Sequence, residues 1–313
     1  MEESKLHTRY FRISVTDSCN LNCYFCHKEG QSGISLKSYL SADDLIWVAS
    51  IAVELGFLKF KITGGEPTLR NDLPQIIRGI KKAGAKEVSL ITNGIRLSEI
   101  SSELYYAGLN RVNVSIYSFD STAFKYNCKG KTEDIDYITK GIETAIRTGF
   151  EDIKLNFILT NNNRMNDLND ILVFATERNL RVQVLPLLSY NLKPEDKIFS
   201  YDELYELIKT YGIKKEEIIT DNEGFRQKLI LTDSGFKILL KLDHVSERKI
   251  FKACLSCQKE EECLEGILPL RLSSNGKISP CLAKGISEID TRSSIINRNK
   301  KKFINSIKSI AEL

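Results

Sequence analysis

A parallel α/β sheet, closed or partly closed as a six-stranded (βα)6 barrel, is the fold this sequence predicts. Short β-branched runs alternate with amphipathic stretches of helical period through residue 190. Glycines stand just past several of the helical stretches, where a helix needs a left-handed stop. The two most unusual motifs each follow a strand, and in a parallel barrel the strand C-termini carry the chemistry.

The elements follow in order. Strands are expected at Arg12–Val15, Leu58–Ile62, Glu87–Ile91, Arg111–Ile116, Ile153–Leu159 and Arg181–Pro186. Between them the apolar period predicts helices over Ala42–Leu55, Asp72–Ala83, Ser98–Ala107, Glu133–Thr148 and Met165–Arg178. Ser41 and Asn71 are the expected N-caps, and Gly56, Gly84, Gly108 and Gly149 the C-terminal stops. Right-handed crossovers between parallel strands make this a partial TIM-type barrel. Beyond it, Tyr201–Lys209 and Gly235–Lys241 show helical pattern, and the Lys-, Arg- and Asn-rich stretch Arg292–Lys302 reads as a solvated helix face.

Composition bounds the function classes. The chain has 313 residues, a formal net charge of +4 and 27% charged residues. That is enough length for a full core, and the small net charge makes no case for nucleic acid. No apolar run approaches a membrane span, and Met1–Lys5 lacks the apolar core of a signal peptide. Eight cysteines without an export signal imply a cytoplasmic, reducing environment, where clustered thiols bind metal instead of one another.

Cys19, Cys23 and Cys26 form a C-x3-C-x2-C array directly after the first strand. Three thiolates can hold three irons of a [4Fe–4S] cube and leave one iron open to a non-protein ligand. Zinc, which takes four tetrahedral ligands, is the alternative at this point. Lys61-Ile62-Thr63-Gly64-Gly65-Glu66-Pro67 follows the second strand. Its glycines allow close backbone approach to a ligand, and Glu66 can accept a hydrogen bond from an ammonium group. Together the two motifs resemble those of radical S-adenosylmethionine (SAM) enzymes. The resemblance implies that the open iron chelates SAM, that Gly64, Gly65 and Glu66 cradle its methionine end, and that reductive cleavage yields a 5′-deoxyadenosyl radical which abstracts hydrogen from substrate.

Within that superfamily residues 10–285 resemble the GTP 3′,8-cyclases of molybdenum-cofactor biosynthesis (the MoaA family), lyases that act on a purine nucleotide. The likeness rests on Arg12-Ile13-Ser14-Val15-Thr16-Asp17, Cys26-His27-Lys28-Glu29-Gly30, Leu90-Ile91-Thr92-Asn93-Gly94 and Arg111-Val112-Asn113-Val114-Ser115-Ile116. It implies SAM contacts from Phe25, Ser115 and Leu185, and GTP contacts from Arg12, Lys61, Thr92, Lys154 and Arg271, with Arg271 also catalytic. Lys61 stands where the family usually has arginine. An external electron donor such as flavodoxin or ferredoxin is implied as well.

The C-terminal third carries Cys254, Cys257, Cys263 and Cys281, and Arg271 to Leu282 resembles the cyclase loop that holds an auxiliary [4Fe–4S] cluster. The usual cyclase has three cysteines there and an Arg-x-Arg pair; here the first arginine is Pro269 and Cys263 is an added thiol. Four thiolates could close the cluster, as in peptide-modifying relatives with SPASM or twitch extensions. The family's Gly-Gly tail is replaced by Ile310-Ala311-Glu312-Leu313. The expected organisation is a barrel over 1–190, a helical linker and barrel cover over 191–252, and a small auxiliary-cluster domain with the tail over 253–313. Cys128 reads as an isolated free thiol, and His7 and His244 as structural or surface residues. Three functions compete: a nucleotide-cyclising radical SAM enzyme, one acting on a peptide or other small molecule, and a non-catalytic metal scaffold. A scaffold has no need of the Gly-Gly-Glu-Pro cradle, which argues against the third.

Overall fold

The structure is a computed structural model that describes residues 10–28, 39–160, 165–187, 197, 199–220, 226–241, 269–281 and 288–311. β1 (Tyr10–Ser14), β2 (Lys59–Thr63), β3 (Glu87–Thr92), β4 (Arg111–Ser115), β5 (Asp152–Leu159) and β6 (Arg181–Pro186) pair in sequence order, all parallel. The helices between them are α1 (Ala42–Glu54), α2 (Leu73–Lys82), α3 (Leu97–Tyr106), α4 (Ser121–Cys128), α5 (Thr132–Thr148) and α6 (Met165–Glu177). The six expected strands and five expected helices are all present, within one or two residues of the predicted ends; α4 went unpredicted.

Two local expectations are corrected. The cap of α2 is Asp72, one residue past Asn71, and it makes no capping hydrogen bond with its side chain; its carboxylate instead grips the Arg70 guanidinium at 2.6 and 2.8 Å. Gly235–Lys241 is not helical: α7 (Tyr201–Lys209) is followed by β7 (Ile213–Thr220), β8 (Arg226–Thr232) and β9 (Lys237–Lys241). Six consecutive apolar or long side chains, Phe236 to Lys241, after a left-handed Gly235 fit a buried strand as well as a helix turn. β9 lies parallel to β6 with Ile238 opposite Val182, and that pairing decides between the two.

The sheet extends on both sides of the expected six strands. β10 (Pro269–Leu272) lies parallel to β1, and β11 (Lys277–Ser279) and β12 (Ile289–Asp290) continue antiparallel beyond it. On the other edge β8 and β7 turn outward from β9. Among the described residues the order is therefore β12-β11-β10-β1-β2-β3-β4-β5-β6-β9-β8-β7. Both outermost parallel strands, β9 and β10, pair outward with antiparallel neighbours, which leaves the parallel set open instead of closed on itself.

The C-terminal helices α8 (Arg292–Ile296) and α9 (Lys300–Ala311) are solvated on one face only. Ile295, Phe303 and Ile307 are buried, and the Phe303 ring packs 5.3 Å from Trp47 on α1. Arg298 caps this contact over the Trp47 ring and pairs with Asp44 at 2.6 Å. Phe303→Ala should therefore destabilise the whole barrel by about 3–5 kcal/mol in denaturant unfolding, whereas Lys301→Ala on the exposed face stays within about 0.5 kcal/mol.

Candidate active site

Two loops at the strand ends are joined backbone to backbone. Val15 N continues the β1–β2 ladder to Thr63 O at 2.8 Å; then Gly65 N donates to Thr16 O at 2.6 Å and Glu66 N to Ser18 O at 2.7 Å. The cysteine loop and the Gly-Gly-Glu-Pro loop thus touch along their main chains. A β-carbon at Gly65 would stand 2.2 Å from Ser18 O, and one at Gly64 2.6 Å from Thr16 O. The glycines are required by this junction, a reason that the sequence reading, which assigned them to ligand approach, did not supply.

Glu66 is buried and its carboxylate is already engaged. Oε1 accepts from Thr68 N at 3.0 Å, Thr68 Oγ1 at 2.6 Å and Thr92 Oγ1 at 2.7 Å, and Oε2 from Asn93 N at 2.7 Å. Burial pushes its carboxyl above the usual range, against four hydrogen bonds that favour the charged form. One oxygen is saturated by protein donors, so any contact with a ligand falls to Oε2. Thr92 spends its hydroxyl on Glu66 and on Gly94 N at 3.0 Å, which makes it a support of the cradle. Asn93 closes the network: its Nδ2 donates to Asn20 Oδ1 in the cysteine loop at 2.7 Å.

One cavity takes in Cys19, Cys23, Cys26, Phe25 and the Gly64–Glu66 turn at its mouth, and Ser115, Leu185 and Thr92 along its wall. Cys19 is exposed, and Cys23 and Cys26 are half-buried. Backbone N–H groups of Leu21 and Lys28 reach the Cys19 and Cys26 sulfurs at 3.4 Å each, the kind of contact that tunes iron–sulfur clusters. Among the described residues no three His, Cys, Asp or Glu side chains converge as the ligands of a mononuclear ion; in a four-iron cube each thiolate meets its own iron. Three thiols on one short loop, with main-chain donors to two of them, fit such a cluster.

The cavity floor is cationic. Arg12 faces Arg271 on one side and Lys61 on the other in strict strand register, so three cations form a row across β10, β1 and β2. Lys154 joins from β5, its Nζ donating to Gln183 Oε1 at 2.5 Å. All four line the same cavity, and Lys61, Lys154 and Arg271 are buried. Like charges opposed across strands repel, and a bound polyanion relieves that repulsion.

Every described residue of the predicted SAM and substrate sets lines this cavity. Cys254, Cys257 and Cys263 lie outside the described residues, as do His7 and His244; Cys281 follows β11 and is half-buried. Sequence reasoning missed Asn20, Asn93, Tyr117, Gln183 and Gln227. Tyr117 packs edge-on against Phe25 with centroids 4.5 Å apart, and burial raises its phenol. Gln227 reaches the cavity from β8, a strand the helical reading of that region concealed. Alternation along β6, where Gln183 and Leu185 face inward, was the signal that could have found Gln183.

The sequence signature of the radical SAM superfamily matches residues 13–175. The chain belongs to that superfamily and is a radical SAM enzyme, with the SAM-binding [4Fe–4S] cluster that membership brings. It is 35% identical over 281 residues to a protein of Sulfurisphaera tokodaii named probable GTP 3′,8-cyclase, covering 89% of this chain and 82% of that one. A protein of Methanococcus vannielii with the same name is 30% identical over 305 residues, covering 96% and 94%. Among solved structures, SuiB of Streptococcus suis bound to S-adenosylmethionine superposes with a TM-score of 0.64 at 16% identity, covering 91% of this chain and 64% of that one. Native anSMEcpe with AdoMet and a Cp18Cys peptide gives 0.60 at 15%, covering 95% and 82%. At such identities these likenesses concern the partial barrel fold.

Gly65→Ala should cost about 3 kcal/mol or more, because backbone atoms on both loops must move apart. Anaerobic reconstitution of that variant is expected to leave iron and acid-labile sulfide far below the wild-type content.

Proposed function

We propose that this protein is a GTP 3′,8-cyclase-like lyase: Cys19, Cys23 and Cys26 hold the [4Fe–4S] cluster, and the substrate is GTP or a related purine nucleotide of molybdenum-cofactor biosynthesis. The observation that carries the reading is the in-register row Arg271–Arg12–Lys61, with Lys154 facing the same cavity. Buried cations on three adjacent strands suit a triphosphate, which meets them with charge-assisted hydrogen bonds. The names of the relatives that cover most of this chain support the same substrate.

In this reading each residue has a physical task. The cluster and SAM, when bound, would supply a 5′-deoxyadenosyl radical. Phe25, Ser115, Leu185 and the Gly64–Glu66 turn would hold SAM, with Glu66 Oε2 the carboxylate oxygen left for its ammonium. The cation floor holds the phosphates at the opposite end, so the sugar and base lie between floor and mouth. Tyr117 and Phe25 wall the mouth with rings that exclude water from a reactive radical. Cys254, Cys257, Cys263 and Cys281 are the candidate ligands of a second [4Fe–4S] cluster, and a flavodoxin or ferredoxin supplies electrons in the cytoplasm.

The test is anaerobic incubation of reconstituted enzyme with GTP, SAM and reductant, followed by mass spectrometry for 3′,8-cyclo-GTP and 5′-deoxyadenosine. Both products are expected. Arg271→Ala should lower kcat/KM for GTP about 100-fold, as expected from losing a buried charged hydrogen-bonding partner, with cluster content retained. SAM cleavage with GTP untouched would overturn the nucleotide reading and favour a peptide or other substrate, to which the fourth thiol Cys263 and Pro269 point.

A further inference from the structure

Asn113 on β4 and Gln183 on β6 line the cavity from the two strands that flank β5, where Lys154 stands between them. Asn113 is the register partner of Lys154, and Gln183 takes the lysine ammonium at 2.5 Å. The contacts these two side chains make fix the polarity of both carboxamides. An ammonium can only donate, so Gln183 turns Oε1 to Lys154 and keeps its Nε2 donors; it makes no other hydrogen bond among the described residues. A backbone carbonyl can only accept, so Asn113 turns Nδ2 to Leu90 O at 3.1 Å and keeps Oδ1. That oxygen is buried and has no hydrogen-bond partner, in a residue 1% exposed. A buried acceptor left unpaired costs stability and is rare in native proteins, so it marks a place where a donor is due.

An open acceptor on one side of a cation and an open donor on the other suit a vicinal diol carried next to an anion. We infer that Asn113 and Gln183 are specificity residues for the sugar of the substrate: Asn113 Oδ1 accepts from one ribose hydroxyl, and Gln183 Nε2 donates to its neighbour. This rests on the nucleotide reading above, in which Lys154 takes a phosphate. The sugar is the part of a nucleotide bonded directly to the phosphates, so it comes within reach of groups that flank Lys154 before the base does. A peptide backbone could meet the same two amides but brings no anion for the lysine between them. Asn156 Oδ1 is orphaned in the same way, but it stands in register with Ser115, on the part of the wall given to SAM. A site whose buried polar groups are completed by substrate hydroxyls rejects an analogue lacking one, because the protein group is then left unpaired.

The experiment is equilibrium binding of GTP, 2′-deoxy-GTP and 3′-deoxy-GTP to reconstituted enzyme without reductant, so that nothing turns over. Wild type is expected to bind each deoxy analogue about tenfold more weakly than GTP, in keeping with one lost hydrogen bond and one buried group left unpaired. Asn113→Ala and Gln183→Met should each bind GTP about tenfold more weakly and become indifferent to one of the two hydroxyls, while still distinguishing the other. Their affinity for SAM should match that of wild type. Equal affinity of wild type for all three nucleotides overturns the inference, and that measurement stands even if neither variant folds. Variants that weaken GTP and both analogues by one common factor also overturn it, since the amides would then only shape the pocket. A loss of SAM affinity in place of nucleotide affinity overturns it by moving the amides to the cofactor. Wild type that cleaves SAM but binds no GTP would sink the nucleotide reading and this inference with it, a result distinct from equal binding of all three.

Discussion

The junction between the cysteine loop and the Gly-Gly-Glu-Pro loop is the constraint on which the site depends. Gly65 N to Thr16 O and Glu66 N to Ser18 O are short main-chain bonds between segments that leave adjacent parallel strands. They exist because neither glycine carries a β-carbon. Once the loops are locked, Glu66 falls against Thr68, Thr92 and Asn93, and Asn93 reaches back to Asn20 beside the first candidate ligand. Arg70 adds a second clasp below, donating from Nη1 to Val15 O at 2.8 Å and Leu40 O at 3.0 Å. The thiols are thus placed by backbone geometry, and side-chain chemistry is free to differ around them.

The barrel then sorts charge along its axis. Residues facing the cavity alternate along each strand, so Arg12, Lys61, Lys154 and Arg271 occupy the lower positions, with Thr63, Ser115 and Leu185 higher. Other buried charge on these strands is neutralised elsewhere: Arg111 pairs with Glu87 at 2.9 Å and does not line the cavity. Cations concentrate at the floor, and Glu66, the one carboxylate of the cavity wall among the described residues, stands at the mouth under four hydrogen bonds. A ligand that is anionic at one end and carries an ammonium-bearing companion at the other matches that polarity.

Much of this was legible in the sequence, for identifiable reasons. Period-2 and period-3.6 patterns are local, so all six central strands and five of the six helices between them could be read, the eight-residue α4 being the one missed. The cysteine array and Gly64-Gly65-Glu66-Pro67 are contiguous, so their shared location followed once the strands were placed. What escaped depends on contacts between distant segments. Gly235–Lys241 offers too few residues to distinguish helix from strand, and only its pairing with β6 settles it. Cys128 lies more than a hundred residues after the array, whose loop donates from Asn22 N to its carbonyl, and no spacing rule links a helix end to that loop. Glu66 lines the cavity beside the cysteine loop, but its saturation by Thr68, Thr92 and Asn93 is a property of the fold.

The described part of the C-terminal segment is built into the barrel sheet. β10 continues the parallel set beside β1, and its register alone puts Arg271 level with Arg12. The following turn is tied to the cysteine loop, Ser274 Oγ donating to the Asp17 carboxylate, while Leu40 N donates to Ser274 O at 3.0 Å. Trp47, Phe303 and Arg298 lock the last helices onto α1. Movement of β10 would shift the cation row and strain the loop that carries Cys19 together. Floor and mouth of the cavity are therefore coupled through a segment that the sequence presents as an appendage, and a substitution in either is expected to be felt in the other.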